Sequence, residues 1–368
     1  MKAARSLLLK TVPSAPMAAN AAGEPREVGA AGYLGVLEPR PAEDGLPLDA
    51  EVTLPLLVTP QVVLFPGATL PLREHATSPR WRMLDTMLRG SGAALLATAC
   101  HDELGAGDVC CVARIERAAR LEGDATELVA VARGVARAEL LSMSASGDDA
   151  TLRLLHEAAD RPQQPPMLSA HAATSVWRAH RPEALAARLR SAPALMALTD
   201  ATQLAALTPA ELSWHAASKL PLDVRERHAL LQEASATIRL LRLLAVVGED
   251  AVLRCASCAT RWADGRRILN TGATGAFVNP HGYVHDMLTV SSASNLFAHG
   301  PPDTRDSWFQ GFAWQIAHCL SCFSHAGWLY TAVPGATRDA QGERLPEAFW
   351  GLRQGSFTHD AADGREEA

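Results

Sequence analysis

The stretch DSWFQGFAWQIAHCLSC, residues 306–322, sets two tryptophans six residues apart and closes on a Cys-x-x-Cys pair. Trp328 and Tyr330 follow, so Trp308, Trp314, Trp328 and Tyr330 fall within 23 residues. Aromatic residues make up only 5% of the chain, so the crowding is not a by-product of composition. Tryptophan is ordinarily core material. Three in so short a segment exceed what a small core absorbs, and each indole N–H needs a partner, which favours half-wet positions. The cluster therefore reads as the walls of a pocket, and an aromatic box suits a small flat or cationic ligand.

The cysteines beside it carry the strongest chemical signal. Cys319-Leu-Ser-Cys322 has an upstream counterpart in Cys255-Ala-Ser-Cys258, with 60 residues between the two. A Cys-x-x-Cys turn offers two thiolates on one side of a tight knuckle, and two knuckles make a closed four-sulfur zinc site with no open position for water. The metal expected here is one structural Zn ion. Such a site supplies about 10–16 kcal/mol of apparent binding energy, enough to fix a domain with a thin core. The chain has seven cysteines, and an odd count argues against a secreted disulfide framework. A redox pair or unconnected thiols are the alternatives. Between the knuckles, Asn279-Pro280-His281-Gly282 is a turn signal, and Tyr283 and His285 alternate on the strand expected after it. His281, His285 and His325 read as structural histidines, and His318 as a neighbour of the metal site rather than a ligand.

Working outward, 368 residues suggest two or three domains. LPLLVTPQVVLFPGATLPL (54–72) reads as strand, turn, strand, and residues 93–99, 109–121 and 127–141 read as further strands. Ser78 and Pro79 open a helix that stops at Gly90. After the proline-containing break at 160–167 the texture becomes helical. Pro182-Glu183 opens one helix, Thr208-Pro209-Ala210-Glu211 is a capping box, and Asp223 to Glu226 starts a helix that runs through Leu230, Ala234, Ile238, Leu241 and Ala245 to Gly248. The expected division is a disordered tail over 1–50, a β-rich domain over 51–160, a helical segment over 161–247, an all-β zinc domain over 248–354, and a disordered tail over 355–368. The fold class is α+β, multidomain.

Composition excludes other classes. Net charge is −6, so nucleic acid is not a default partner. No apolar run reaches the ~20 residues of a membrane span, and IRLLRLLAVV (238–247) is broken by Arg239 and Arg242. These point to a protein of the cytoplasm or nucleus. Lys2, Arg5 and Lys10 with no acid before Glu24 also fit an organelle transit peptide, or equally a flexible tail. Only three of the 34 basic residues are lysine, which a GC-rich genome explains most simply.

NPHGYVHDMLTV (279–290), SWFQGFAWQIAHCLSCFSHAGWLYTA (307–332) and EAFWGL (347–352), together with Cys255 and Cys258, resemble the thalidomide-binding (CULT) domain of the cereblon family in order and spacing. Residues 54–72 look like the start of that family's Lon N-terminal-type domain, and 218–244 look like its helical adaptor-binding segment. The resemblance implies a non-catalytic substrate receptor of a cullin–RING ubiquitin ligase. Its helical segment would dock the β-propeller adaptor, and its partners would be substrate proteins and cyclic-imide small molecules of the glutarimide type. It implies a cage of Trp308, Trp314 and Trp328 over Tyr330, with Asn279, Pro280 and His281 at its border and Asp306 and Ser307 at its rim. Asp306 departs from the histidine of animal relatives. That position is thought to meet the imide through its carbonyl, so the contact survives while the rim becomes acidic. With Lys219 the sole lysine beyond the N-terminal tail, self-modification of such a receptor would also be limited.

Two enzyme readings fail on residues. A zinc-bearing methionine sulfoxide reductase needs a nucleophilic cysteine beyond the four knuckle positions, and after Cys258 only Cys319 and Cys322 remain. An ATP-dependent protease needs a G-x-x-x-x-G-K-[ST] loop, which this sequence lacks. A stand-alone imide-binding protein without a ligase is the other open reading.

Overall fold

The computed structural model describes residues 32–40, 51–90, 93–101, 103–121, 126–157, 180–247, 252–269, 275–335 and 346–360. The proline-containing break at 160–167, Gly248, and most of the expected tails lie outside the described residues.

The N-terminal unit is built on seven strands: β1 (Glu38–Pro39), β2 (Glu51–Val58), β3 (Thr69–His75), β4 (Leu95–Ala99), β5 (Val109–Leu121), β6 (Glu127–Met143) and β7 (Asp149–Leu155). Their order is β1-β5-β4-β2-β7-β6-β3, and β5 also pairs with β6. That extra pairing closes five strands into a barrel. β5 and β6 are long enough to serve two neighbours each, and irregularities in their register, between Val112 and Ala113 and between Ile115 and Arg117, let them coil. Helix α1 (Pro79–Arg89) begins where Ser78 accepts the amide of Arg80 and ends at Gly90.

Sequence reading assigned no strand to 149–155. The period-two signal is present: Ala150, Leu152 and Leu154 are all buried, and β7 pairs β2 on one side and β6 on the other.

The helical section holds α2 (Pro182–Arg190), α3 (Pro193–Met196), α4 (Ala201–Ala206), α5 (Pro209–Lys219), α6 (Val224–Gln232) and α7 (Ala236–Val246). The capping boxes at Thr208/Glu211 and Asp223/Glu226 both form. The single helix expected from Asp223 onward is two. Ser235 caps α7 by accepting the Ile238 amide, and Glu233 turns its carbonyl to the Arg239 guanidinium at 2.7 Å. The break serves Arg239, which is fully buried, lies 3.5 Å over the Trp214 ring and bonds Ser213 and Glu157. No helix among the described residues is long and apolar enough to cross a membrane.

The C-terminal unit has two sheets. One is ordered β10-β11-β15-β14-β13-β12, from β10 (Gly275–Val278), β11 (Val284–Val290), β12 (Leu296–Asp303), β13 (Phe312–Cys319), β14 (His325–Ala332) and β15 (Ala348–Arg353). The other is β16-β8-β9, from β8 (Val252–Cys255), β9 (Arg261–Asp264) and β16 (Phe357–Asp360).

Two tail expectations are corrected here. Residues 357–360 form β16, because Phe357 is fully buried opposite Cys255. Residues 32–39 hold a short 3-10 turn and β1, because Leu34 packs with Val129, Val131 and Val278.

The sections share one core. Phe65, Leu212, Leu240, Leu253, Trp262, Leu352 and Phe357 belong to a single apolar cluster. Burying each such side chain contributes about 1.5–3 kcal/mol, so the units stabilise one another. A buried ion pair crosses the same seam, Arg227 of α6 to Asp286 of β11 at 2.9 Å.

Candidate functional site

The two cysteine knuckles are near copies. In each, the first cysteine's carbonyl accepts the amide four residues on, from Ala259 at 2.8 Å and from Phe323 at 2.9 Å. Both of those residues are left-handed, with φ of 57 and 60. In each, the first cysteine's amide bonds the carbonyl five residues on, Thr260 or Ser324. The hydroxyls of those two residues then cross over: Thr260 bonds Ser321 at 2.9 Å, and Ser324 bonds Ser257 at 3.0 Å. Sequence reading took the spacing of the cysteines and missed the longer repeat Cys-x-Ser-Cys-x-(Thr/Ser) that carries this crossing. The signal was present in 255–260 and 319–324.

The knuckles meet face to face. Sulfur separations are 3.6 Å for Cys255–Cys322 and 3.6 Å for Cys258–Cys319, and all four ligand atoms lie within 4.8 Å of one another. Metal–sulfur bonds of about 2.3 Å in a tetrahedron place sulfurs about 3.8 Å apart, so the cluster has the dimensions of a metal cage. It is far too wide for disulfides, whose sulfurs sit about 2.05 Å apart. Burial pushes the Cys255 thiol up to about 12. The hydroxyl and amide of Ser324 hold Cys322 down to about 6. A cation removes the conflict by favouring the thiolate at every position.

The aromatic cluster grows from the same strands. Pairing of β13 with β14 places Trp314 opposite Tyr330 and Ile316 opposite Trp328, and β15 places Phe349 opposite Tyr330. Opposed residues share a face, so Trp314, Trp328, Tyr330 and Phe349 line one side of the sheet. Tyr330 is 2% exposed and stacks on Phe349 at 5.0 Å, with Phe309 edge-on at 4.6 Å. This is the floor. The segment between β12 and β13 lays Trp308 over it, edge-on to Trp328 at 4.9 Å and stacked on Phe277 at 5.2 Å.

Each of two indole N–H groups fixes its ring in place. Trp308 donates to the Val278 carbonyl at 3.0 Å, and Trp314 donates to the Arg305 carbonyl at 2.8 Å. Ring faces, not N–H groups, are therefore what these two side chains have left to offer. An Arg305–Asp303 ion pair at 2.7 Å shapes the turn, and Arg305's side chain and backbone bonds hold the Asp303 carboxyl down to about 2. Asp306 follows in a left-handed conformation, φ 53, which aspartate tolerates better than most residues. The Ser307 hydroxyl donates to the Phe309 carbonyl at 3.0 Å. Trp314 also lines a depression of about 480 Å³ together with His299, Pro301, Asp303, Arg305 and Gln315 among others.

Asn279, Pro280 and His281 occupy the turn next to the Val278 anchor. The Asn279 side-chain oxygen accepts the amides of His281 and Tyr283, at 3.0 and 2.9 Å. The Pro280 carbonyl meets His75 of the N-terminal unit at 2.6 Å. A Cβ on Gly282 would sit 2.6 Å from the Arg73 carbonyl, so only glycine allows this approach. The turn thus joins the aromatic cluster to the barrel. His281 is exposed.

Sequence reading took His285 as a structural histidine and did not place it against the tryptophans. It contacts both Trp308 and Trp328, at 5.7 and 5.1 Å. Burial, then the charges of Arg353 and His325, lower it to about 4, so it is a neutral ring at physiological pH. His325 is likewise lowered to about 4, by burial first.

Comparison with known proteins finds one family match and several relatives. Residues 53–247, more than half of the chain, match the ATP-dependent protease La (LON) substrate-binding domain. Among curated proteins, the chain is 38% identical over 162 residues to protein cereblon of Danio rerio, covering 43% of this chain and 36% of that one. It is 40% identical over 153 residues to protein cereblon of Xenopus tropicalis, covering 40% and 33%. The matched stretch thus spans about a third of each relative. Among solved structures, the N-terminal domain of Mycobacterium avium complex Lon protease aligns with a TM-score of 0.39 at 20% identity, covering 52% of this chain and 96% of that one. The chain belongs to the LON substrate-binding domain family and, by these similarities, is related to the cereblons.

Proposed function

We propose that this protein is a substrate receptor of a cullin–RING ubiquitin ligase and that it holds cyclic imides in the cage of Trp308, Trp314 and Trp328. The observation that carries the reading is the packing of three tryptophans against one buried cluster that holds Tyr330 and Phe349, with two indoles fixed by backbone carbonyls. A fixed cage lowers the ordering cost of binding, which is where preorganisation gains affinity. A glutarimide is flat, neutral and has about eight heavy atoms; at about −0.3 to −1.5 kcal/mol per atom, micromolar binding near −8 kcal/mol lies within reach.

Ring faces pack the aliphatic edge of the imide, and backbone groups of the Asp306–Trp308 turn meet its N–H and carbonyls. Asn279, Pro280 and His281 border the opening, and Ser307 and Asp306 form the rim. Zinc bound by Cys255, Cys258, Cys319 and Cys322 is structural and supplies no bond chemistry. The receptor itself is not an enzyme. It raises the effective concentration of substrate beside the ligase. The helical section docks the β-propeller adaptor, a role for which Met196 and Leu241, 53% and 37% exposed, offer apolar contact.

A fluorescent peptide ending in a cyclised glutamine imide tests the reading. Its anisotropy should rise on titration with the full chain, and the same peptide ending in uncyclised glutamine should give no change. Equal binding of both peptides, or of neither, contradicts the imide reading. For the ligase, adaptor co-purification should survive in the wild type and weaken in Met196→Arg/Leu241→Arg; an adaptor that never co-purifies removes the ligase half while leaving imide binding in place.

A further inference from the structure

Helix α6 is a junction. Arg227 points to the C-terminal unit, where it pairs with Asp286. The next residue, His228, meets the N-terminal barrel, its ring 5.3 Å from that of His101. Cys100 precedes His101 directly, just after β4. The donor atoms of Cys100, His101 and His228 all lie within 4.8 Å of one another.

We propose that Cys100, His101 and His228 form a second transition-metal site, distinct from the four-cysteine cage, that binds Zn²⁺ and fastens α6 to the barrel. The donor set is one thiolate and two imidazoles, the softness and type that Zn²⁺ prefers over Mg²⁺ or Ca²⁺. Metal–ligand bonds of about 2.0–2.3 Å around a tetrahedron need donors about 3.3–3.8 Å apart, a spacing the three side chains reach by small rotations. The surroundings suit the ion. Asp108 acts electrostatically on both Cys100 and His228, and its carboxylate balances the charge left when one thiolate meets a dication.

Position argues for a metal rather than a nucleophile. Cys100 is only 9% exposed and packs with the shared core, which shields its sulfur from substrates. The two histidines are half-buried. Three protein ligands leave a fourth position for water, unlike the closed four-cysteine cage. The helix end is already tied to the barrel a turn later, where Arg137 of β6 donates to the carbonyls of Leu231 and Gln232 at 3.1 and 3.4 Å. A metal at His228 adds a second tie on the same helix, so zinc binding stiffens the joint between barrel and helices.

Metal counting on the full chain decides it. The protein is stripped with chelator, refolded with Zn²⁺, desalted and measured by elemental mass spectrometry. Two zinc ions per chain are expected in the wild type and one each in Cys100→Ser, His101→Gln and His228→Gln. Cys258→Ser should also lose one ion, but the other one. Co²⁺ substitution separates the sites, because the three variants should keep the strong thiolate-to-cobalt absorption of a four-sulfur site and Cys258→Ser should weaken it. One zinc in the wild type, or two in all three variants, overturns the proposal. Should one variant fail to fold, as read by circular dichroism, the remaining two give the same answer.

Discussion

Cys319 ends β13 and Trp314 lies five residues earlier on the same strand, yet the two are placed by different means. The cysteine is positioned locally. Its knuckle closes through hydrogen bonds within six residues, from the amide of Cys319 to the carbonyl of Ser324 and from the amide of Phe323 to the carbonyl of Cys319. The tryptophan is positioned at a distance. Its face is set by register against Tyr330, its indole by Arg305, and its floor by Phe349, 35 residues away in sequence. One site is a property of a motif and the other of a sheet. A four-sulfur cluster can therefore be read from spacing alone, whereas the aromatic cluster forms only once β13, β14 and β15 have found their register.

The strongest way to break this contrast is to remove the metal. Chelation, or Cys319→Ser, should cost much of the roughly 10–16 kcal/mol that a structural zinc contributes and unfold the C-terminal unit. Near-ultraviolet circular dichroism should then lose its tryptophan signal together with the zinc. Aromatic signals that survive metal loss would show that the sheet holds its register without the knuckles.

The converse change acts on the sheet alone. Gly327 has φ 149, and a Cβ there would lie 2.0 Å from the Gly351 carbonyl. Gly327→Ala should therefore push β14 from β15 and destabilise by about 3 kcal/mol or more in urea melts, through backbone strain and lost packing. Zinc content should stay at the wild-type level, since no cysteine is touched.

A gentler change is pH. His285 and His325 have folded values of about 4 against 6.5. Above 6.5 both states hold the rings neutral. Between 6.5 and about 4 the unfolded chain takes up protons that the folded chain refuses, so stability falls as pH drops through that window. A melting series from pH 7.5 to 4.5 should show the loss, and His285→Phe should reduce it while the shares of His325 and of His215, whose ring burial also lowers to about 4, remain. The smallest effect belongs to the crossed hydroxyls. Thr260→Val removes the bond to Ser321 and should cost about 1 kcal/mol, with the zinc retained.

The same contrast explains what the sequence made visible. Strands β4, β5 and β6, the caps at Ser78, Thr208 and Asp223, and the two knuckles rest on signals within a few residues, and each was readable. β7 carried its own alternation of Ala150, Leu152 and Leu154, but in so short a run the pattern drew no strand assignment. The split between α6 and α7 was invisible in the apolar spacing, because its cause is Arg239 reaching back to Glu233 across a buried network with Trp214. His285 was set aside for the same reason: its contacts with Trp308 and Trp328 depend on a strand that pairs through β15 with β14. β16 was read as tail because four residues give no period, and only Cys255 opposite Phe357 reveals their place.

The most direct test of the central claim is a titration of thalidomide followed by intrinsic tryptophan fluorescence, with Trp314→Ala alongside. Saturable quenching with a micromolar midpoint in the wild type is expected, weakened at least tenfold in a Trp314→Ala protein that still holds its zinc. A folded, zinc-loaded wild type whose fluorescence does not change, or a Trp314→Ala variant that binds as tightly, would contradict the assignment of this cluster as an imide cage.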